Sequence, residues 1–322
     1  MKTSEKIKKY IEKKGEVSPN ELAGYLNITP RATFKQLSNL LKSSELVKIG
    51  KPPKVFYKMR DFEKDYVKIT IKEDLKKTIN DNFVYITPLG EYLEGLQGFI
   101  QWCSERDLVV EKQANEYIKI LNRAKKSKQF GVISGSDKFK KSFNEVFLKE
   151  VFFVDFYSIP QFGETKLGQL LLYAKQSQDK KRIKEISQMV EKNIKTILKK
   201  YSIEAVGFIP PTVKREIQFM KELEKNLNIS LPMVKISKVK TEIIIPQKTL
   251  NKMKDRIINA QNTIVVEEKK NFKNILLIDD AVGSGATFNE TAKKIFKNGV
   301  AKNVYGIGIT GSYKGFDVIS EV

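Results

Sequence analysis

The sequence predicts an α/β protein in which residues 129–322 form a mostly parallel sheet covered by helices. Three observations predict it. Strand-like apolar runs alternate with helical patterns from about residue 130 onward. One such run, Ile275–Ile278, ends in Asp279-Asp280 and a glycine-rich turn. Two segments with a different pattern, 1–60 and 61–128, precede the sheet.

The chain has 322 residues, enough for two or three domains, and its 41% hydrophobic fraction supports real cores. It has no histidine, which removes imidazole acid–base chemistry and imidazole metal ligands. The single Cys103 excludes an internal disulfide and a cysteine-rich zinc site. Any metal is therefore expected to be a hard one held by oxygen, such as Mg²⁺. The basic start Met1–Tyr10 has no apolar stretch behind it. No apolar run reaches the length of a span, so cytoplasm is the expected location, with no membrane partner.

Net formal charge is +21. That favours a polyanionic partner, with ordinary solvated lysine faces as the plainer account. The charge is uneven. Residues 1–60 hold 14 Lys or Arg against 5 Asp or Glu, a net of +9.

In this first segment residues 4–14 read as a helix, with Ser4 as cap, Ile7, Tyr10 and Ile11 inward, and Gly15 as stop. Ser18-Pro19-Asn20-Glu21 opens a second helix and Thr29-Pro30 a third. The third is expected to bury Phe34, Leu37, Leu40 and Leu41. Leu46–Ile49 and Val55–Tyr57 flank a Gly-Pro turn and read as a hairpin. This order resembles a winged helix-turn-helix domain. Such a fold would leave Arg31, Thr33, Lys35, Gln36 and Asn39 free to read bases, and Lys48, Lys51 and Lys54 free for phosphates. DNA is the expected partner.

Residues 61–128 read as a small middle module. Tyr66–Ile71 alternates like a strand and Leu75–Ile79 suits a short helix. Thr87-Pro88 looks like a capped helix start leading into Tyr92–Trp102, and Lys112–Lys126 is helical again. A second helical or winged module and a linker with a dimerising helix both remain open.

In the last segment Val151–Phe156, Ala205–Ile209, Ile275–Ile278 and Val304–Ile309 read as strands. Leu167–Tyr173, Ile183–Lys199, residues 214–227 and Phe288–Phe296 read as helices. In parallel sheets the ligand lies at the carboxyl ends of strands. Asp279 and Asp280 stand at such an end. Paired carboxylates there can accept hydrogen bonds from vicinal ribose hydroxyls. Gly283-Ser284-Gly285-Ala286-Thr287 can wrap backbone amides and a helix start around a phosphate.

This run resembles the fingerprint of the type I phosphoribosyltransferases, which bind 5-phosphoribosyl-1-pyrophosphate (PRPP). The resemblance implies a phosphoribosyltransferase-type sheet and a ribose grip by Asp279 and Asp280, with Mg²⁺ on the same pair. It also implies a 5′-phosphate cradle of Gly283, Ser284, Gly285, Ala286 and Thr287. The family usually has Thr-Thr-Gly-x-Thr there, so one hydroxyl is missing at Gly283. A narrower resemblance is to the late-competence (ComF-like) branch. Its Pro-rich turn matches Phe208–Arg215, where Pro211 would lie beside pyrophosphate. Its spaced Gln, Leu, Arg and Asn match Gln247, Leu250, Arg256 and Asn259, and its basic stretch matches Lys235–Lys240. The branch's Arg-Gly-Phe-Asn stretch is replaced by Glu216–Phe219, and its zinc-binding cysteines are absent.

Arg215, Lys238 and Arg256 are the expected stabilisers of a pyrophosphate leaving group. The tail Gly308–Asp317 offers Tyr313 or Phe316 to stack on a base, or is a plain exit loop. Three functions follow: a winged-helix regulator with a PRPP-type effector site, expected as a homodimer; an active phosphoribosyltransferase; or a DNA uptake or processing factor that meets single strands.

Overall fold

The computed structural model describes residues 2–43, 45–59, 71–213, 215–239, 242–243 and 245–313, with the backbone alone of Lys248. Among the sequence expectations, residues 66–70 of the strand at Tyr66–Ile71, Lys214, Lys240 and Lys314–Asp317 lie outside the described residues. The chain divides into two units, Met1–Gln113 and Ala114–Val322. The segment read as 61–128 is therefore shared between them.

The first unit opens with α1 (Thr3–Lys14). Its cap is Lys2, not Ser4: the Lys2 backbone N–H donates to the Glu5 carboxylate at 3.1 Å. A two-residue strand, β1 (Glu16–Val17), follows, then α2 (Pro19–Leu26) and α3 (Pro30–Lys42). The Ser18 and Thr29 side-chain oxygens accept from the Glu21 and Ala32 amides at 3.2 and 3.3 Å, and proline fills the first helical position each time. β2 (Leu46–Lys51) and β3 (Lys54–Met59) form an antiparallel hairpin, and β1 pairs with the far side of β3. Ile7, Ile11, Val17, Leu22, Leu37, Leu40, Leu46 and Tyr57 make the shared core. Apolar residues at helical spacing on three helices and at alternate positions on the strands converge there.

The same unit continues with α4 (Glu73–Asn82), β4 (Val84–Ile86), β5 (Tyr92–Glu94) and α5 (Gly95–Ser104). Thr87-Pro88 does not start a helix. The Thr87 hydroxyl accepts from the Glu91 amide at 3.1 Å, and Gly90 takes a φ of +79°. These close a hairpin between β4 and β5, so Tyr92 and Leu93 are strand residues. A Thr-Pro pair serves a turn or a cap equally well, and Gly90 decides for the turn. Phe83, Phe99 and Trp102 meet in edge-to-face and stacked pairs, which accounts for Trp102 as a core residue.

α6 (Val110–Lys126) leads into the second unit, followed by β6 (Lys128–Gln129), β7 (Val132–Ser134), α7 (Ser136–Ser142) and β8 (Glu150–Phe156). Next come a small hairpin of β9 (Ser158–Ile159) and β10 (Gly163–Glu164), α8 (Lys166–Ser177), α9 (Lys180–Lys200) and β11 (Ala205–Phe208). α10 (Phe219–Leu227), β12 (Ile236–Lys238), α11 (Met253–Thr263), β13 (Ile264–Val266), β14 (Phe272–Val282), α12 (Ala286–Lys297) and β15 (Ala301–Gly311) complete it.

The main sheet has the order β11-β14-β15-β8-β7-β6. Its first four strands are mutually parallel, β7 runs antiparallel to β8, and β6 antiparallel to β7. Ile275, Leu276, Leu277 and Ile278 are fully buried, as a strand covered on both faces requires. The helix expected over 214–227 starts only at Phe219, and Ile217 belongs to the turn before it.

Candidate functional site

The crevice follows from unequal strand lengths. β11 pairs with β14 from Ala205 opposite Ile275 to Phe208 opposite Ile278, and then stops. Pro210 and Pro211 have no amide hydrogen to extend the ladder. β14 runs on through Val282, paired only with β15 on its other side. Asp279 and Asp280 thus stand at the edge of a gap that the departing β11 chain leaves open.

A cavity of about 260 Å³ fills that gap. It is lined by Asp279, Asp280, Gly283, Ser284, Gly285 and Thr287 from the end of β14 and the start of α12. Pro211 and Arg215 line it from the Pro-rich turn, Lys238 from β12 and Arg256 from α11. Ala286, Leu250, Asn259 and Tyr313, also named from sequence for this site, do not line it; Ala286 is fully buried at the first turn of α12. An adjoining cavity of about 460 Å³ shares Pro211, Thr212, Arg215 and Lys238 and is also lined by Asn259.

The loop geometry suits an anion. Gly285 caps α12 with φ +76°, a conformation that favours glycine. Backbone amides at the start of α12 have no helical acceptor and carry the positive end of the helix dipole. The Ser284 hydroxyl already accepts from the Ala286 amide at 3.4 Å.

The acids are unlike each other. Asp279 accepts from the Asp280 amide at 2.8 Å. Its carboxyl is raised well above the usual carboxylate range, first by burial and second by the neighbouring Asp280 charge. Asp280 is ion-paired: Lys175 of α8 places its ammonium 2.5 Å from Oδ2. Lys175 was not legible in the sequence, where it ends an ordinary apolar helix stretch. Its carbonyl oxygen accepts from an Arg215 guanidinium N–H, which ties α8 to the Pro-rich turn.

Two further cations line the cavity, Lys238 half-buried and Arg256 buried. Lys238 donates to the Thr212 hydroxyl at 2.6 Å, and burial lowers its pKa although Asp279 pulls it back up. Arg256 is only 4% exposed. Its Nε donates to the Leu250 carbonyl at 2.7 Å, while Nη2 is buried and has no hydrogen-bond partner among the described residues. Burial lowers the Arg256 pKa. Oε1 of Gln247 and Oδ1 of Asn259 are likewise buried and unbonded, so the spaced Gln-Arg-Asn set keeps open hydrogen-bonding capacity.

Mg²⁺ on the acid pair fits poorly. The metal wants near-octahedral oxygen ligation. Here one Asp280 oxygen already holds an ammonium and one Asp279 oxygen an amide. The stacking ring expected from Tyr313 is engaged elsewhere: it packs edge-on against Phe156 at 4.8 Å, and its carbonyl accepts from Lys138 at 2.9 Å.

On the first unit, Arg31, Lys35 and Asn39 of α3 are exposed at four-residue intervals on one face, beside half-buried Gln36. Lys48, Lys51 and Lys54 of the hairpin are exposed as well. Two expectations are corrected. Thr33 is 0% exposed and its hydroxyl donates to the Thr29 carbonyl at 3.2 Å, so it cannot face a base. Phe34 is 51% exposed. The inward face of α3 runs through Thr33, Leu37 and Leu40, which puts Phe34 one step outside it.

Among the described residues no helix is long and apolar enough to cross a membrane. Comparison with models of known protein families gives no match, and comparison with curated proteins gives none either.

Proposed function

We propose that the chain binds nucleic acid through a winged-helix first unit and a phosphorylated ribose of the PRPP type through a phosphoribosyltransferase-like second unit. One observation carries the ligand site: residues named from four separate stretches of sequence line one cavity at the end of β14. The unbonded guanidinium nitrogen of Arg256 supports an anionic ligand, because a buried charge without a partner is costly and an anion would relieve it. The row Arg31, Lys35 and Asn39, with the hairpin lysines, supports DNA contact, and a homodimer would present two such rows to paired half-sites. The test is calorimetry: PRPP titrated into the wild type and into Asp279→Asn/Asp280→Asn. Equal affinity for both proteins rules the site out. Comparing duplex with single-stranded DNA separates a regulator from a DNA-processing factor.

The cations that line the cavity favour a second reading, an active phosphoribosyltransferase. The bond from ribose C1 to pyrophosphate would break, C1 would bond to an acceptor nitrogen, and that nitrogen's proton would pass to solvent. Lys238, Arg215 and Arg256 would take up the charge growing on the leaving group. Pyrophosphate release from PRPP with each free base tests it.

A further inference from the structure

The Asp280 carboxylate, expected to hold a divalent cation, holds an ammonium group instead. Lys175 Nζ lies 2.5 Å from Asp280 Oδ2, and each side chain keeps only 21% of its surface exposed. Both residues line the cavity, so the pair forms part of its wall.

Lys175 is not on a mobile arm. The helix that carries it, α8, is fixed at its start by Thr165, whose hydroxyl accepts from the Gly168 amide at 3.1 Å and donates to the Phe156 carbonyl at 2.7 Å. That carbonyl belongs to the last residue of β8. At the other end of α8, the Lys175 carbonyl takes a hydrogen bond from Arg215. The ammonium is therefore delivered to Asp280 by a framework anchored to the sheet and to the Pro-rich turn.

The chemistry of the group suits an anionic sugar. An ammonium has three N–H donors, and Asp280 takes one of them. The remainder are available to ligand oxygens. Neutralising Asp280 also removes the repulsion that a bare carboxylate would exert on an incoming phosphate, while its second oxygen can still accept from a ribose hydroxyl.

We propose that Lys175 is the built-in cation of this site, holding Asp280 in place of a divalent metal so that a ribose phosphate binds without one. This rests on the cavity taking a phosphorylated ribose. Mg²⁺ carried on a pyrophosphate would then enter as part of the ligand.

The test uses ribose 5-phosphate, which lacks the pyrophosphate that brings Mg²⁺ with it. The full-length protein is titrated by calorimetry in chelator and again in excess Mg²⁺. The wild type should bind about equally in both. Lys175→Met should lose about tenfold or more in chelator, the size of one charge-assisted hydrogen bond, and regain part of it with Mg²⁺. Lys175→Arg, which restores the charge, should recover binding in chelator and thereby show that Lys175→Met did not simply unfold the site. A wild type that needs Mg²⁺ for ribose 5-phosphate, or a Lys175→Met protein that matches wild type in chelator, overturns the proposal. No binding of ribose 5-phosphate or PRPP by the wild type in either condition instead overturns the ligand site itself.

Discussion

Gly285 sits directly under the ring of Phe139: a Cβ built on this glycine would lie 2.4 Å from Phe139 Cε2. The glycine-rich loop is thus shaped from outside by α7, an element far away in sequence. Gly285→Ala should destabilise the second unit, combining an overpacking cost of about 1–3 kcal/mol with about 1–2 kcal/mol for the left-handed backbone. Adding Phe139→Leu should recover only the packing share. Denaturant unfolding of the single and double variants checks both.

Gly283 is the opposite case. No atom lies within 4 Å of where its Cβ would be, and its φ is not positive. Gly283→Thr should therefore leave the melting temperature nearly unchanged. It should tighten PRPP binding by one added hydroxyl, about fivefold on the usual net value of a hydrogen bond. Weaker binding would place the phosphate elsewhere.

Burial and Asp280 raise the Asp279 carboxyl in the folded protein. Between its ordinary and its raised pKa, the folded state holds a proton that the unfolded state has released. Stability must then fall as pH rises through that window. Asp279→Asn removes the penalty. The variant should melt higher than wild type at neutral pH, the difference should shrink toward the ordinary carboxylate range, and sugar binding should be lost. A variant that melts lower at every pH would contradict this. Melting curves across the pH range decide it.

For nucleic acid, Arg31→Ala and Lys35→Ala should each weaken binding and blunt its sequence preference, whereas Lys48→Ala should reduce the salt slope by about one phosphate's share. PRPP affinity should not move. Thr33→Ala should change stability rather than contacts, since its hydroxyl serves the Thr29 carbonyl. Binding isotherms at several salt concentrations, set beside melting curves, separate the two effects.

Cys103 is buried in α5, and burial lifts its thiol to about 12. It should resist alkylation at mild alkaline pH until the first unit unfolds. Rapid labelling of the native protein would show that α5 opens readily.

The strand end with Asp279 and Asp280 was legible because its signal is local: an apolar run, two acids and close-set glycines. The caps at Ser18 and Thr29 were legible for the same reason. Phe34 was misplaced because Thr33, a polar residue, occupies the core face and satisfies its hydroxyl within its own helix. Thr87-Pro88 was misread because a turn and a cap share the same opening residues. Lys175 and Phe139 could not be found from sequence. Each acts on a residue more than a hundred positions away, and nothing local marks either one.

The acids project from a strand laced to β15 as far as Val282. Such a mount cannot swing toward a ligand. Any adjustment to the size of the guest must come from the opposite jaw, the helix of Arg256. The fixed jaw would then set which sugar is admitted, and the opposing one how long it stays. Substitutions on β14 should change what is bound, and substitutions around Arg256 should change chiefly its rate of escape.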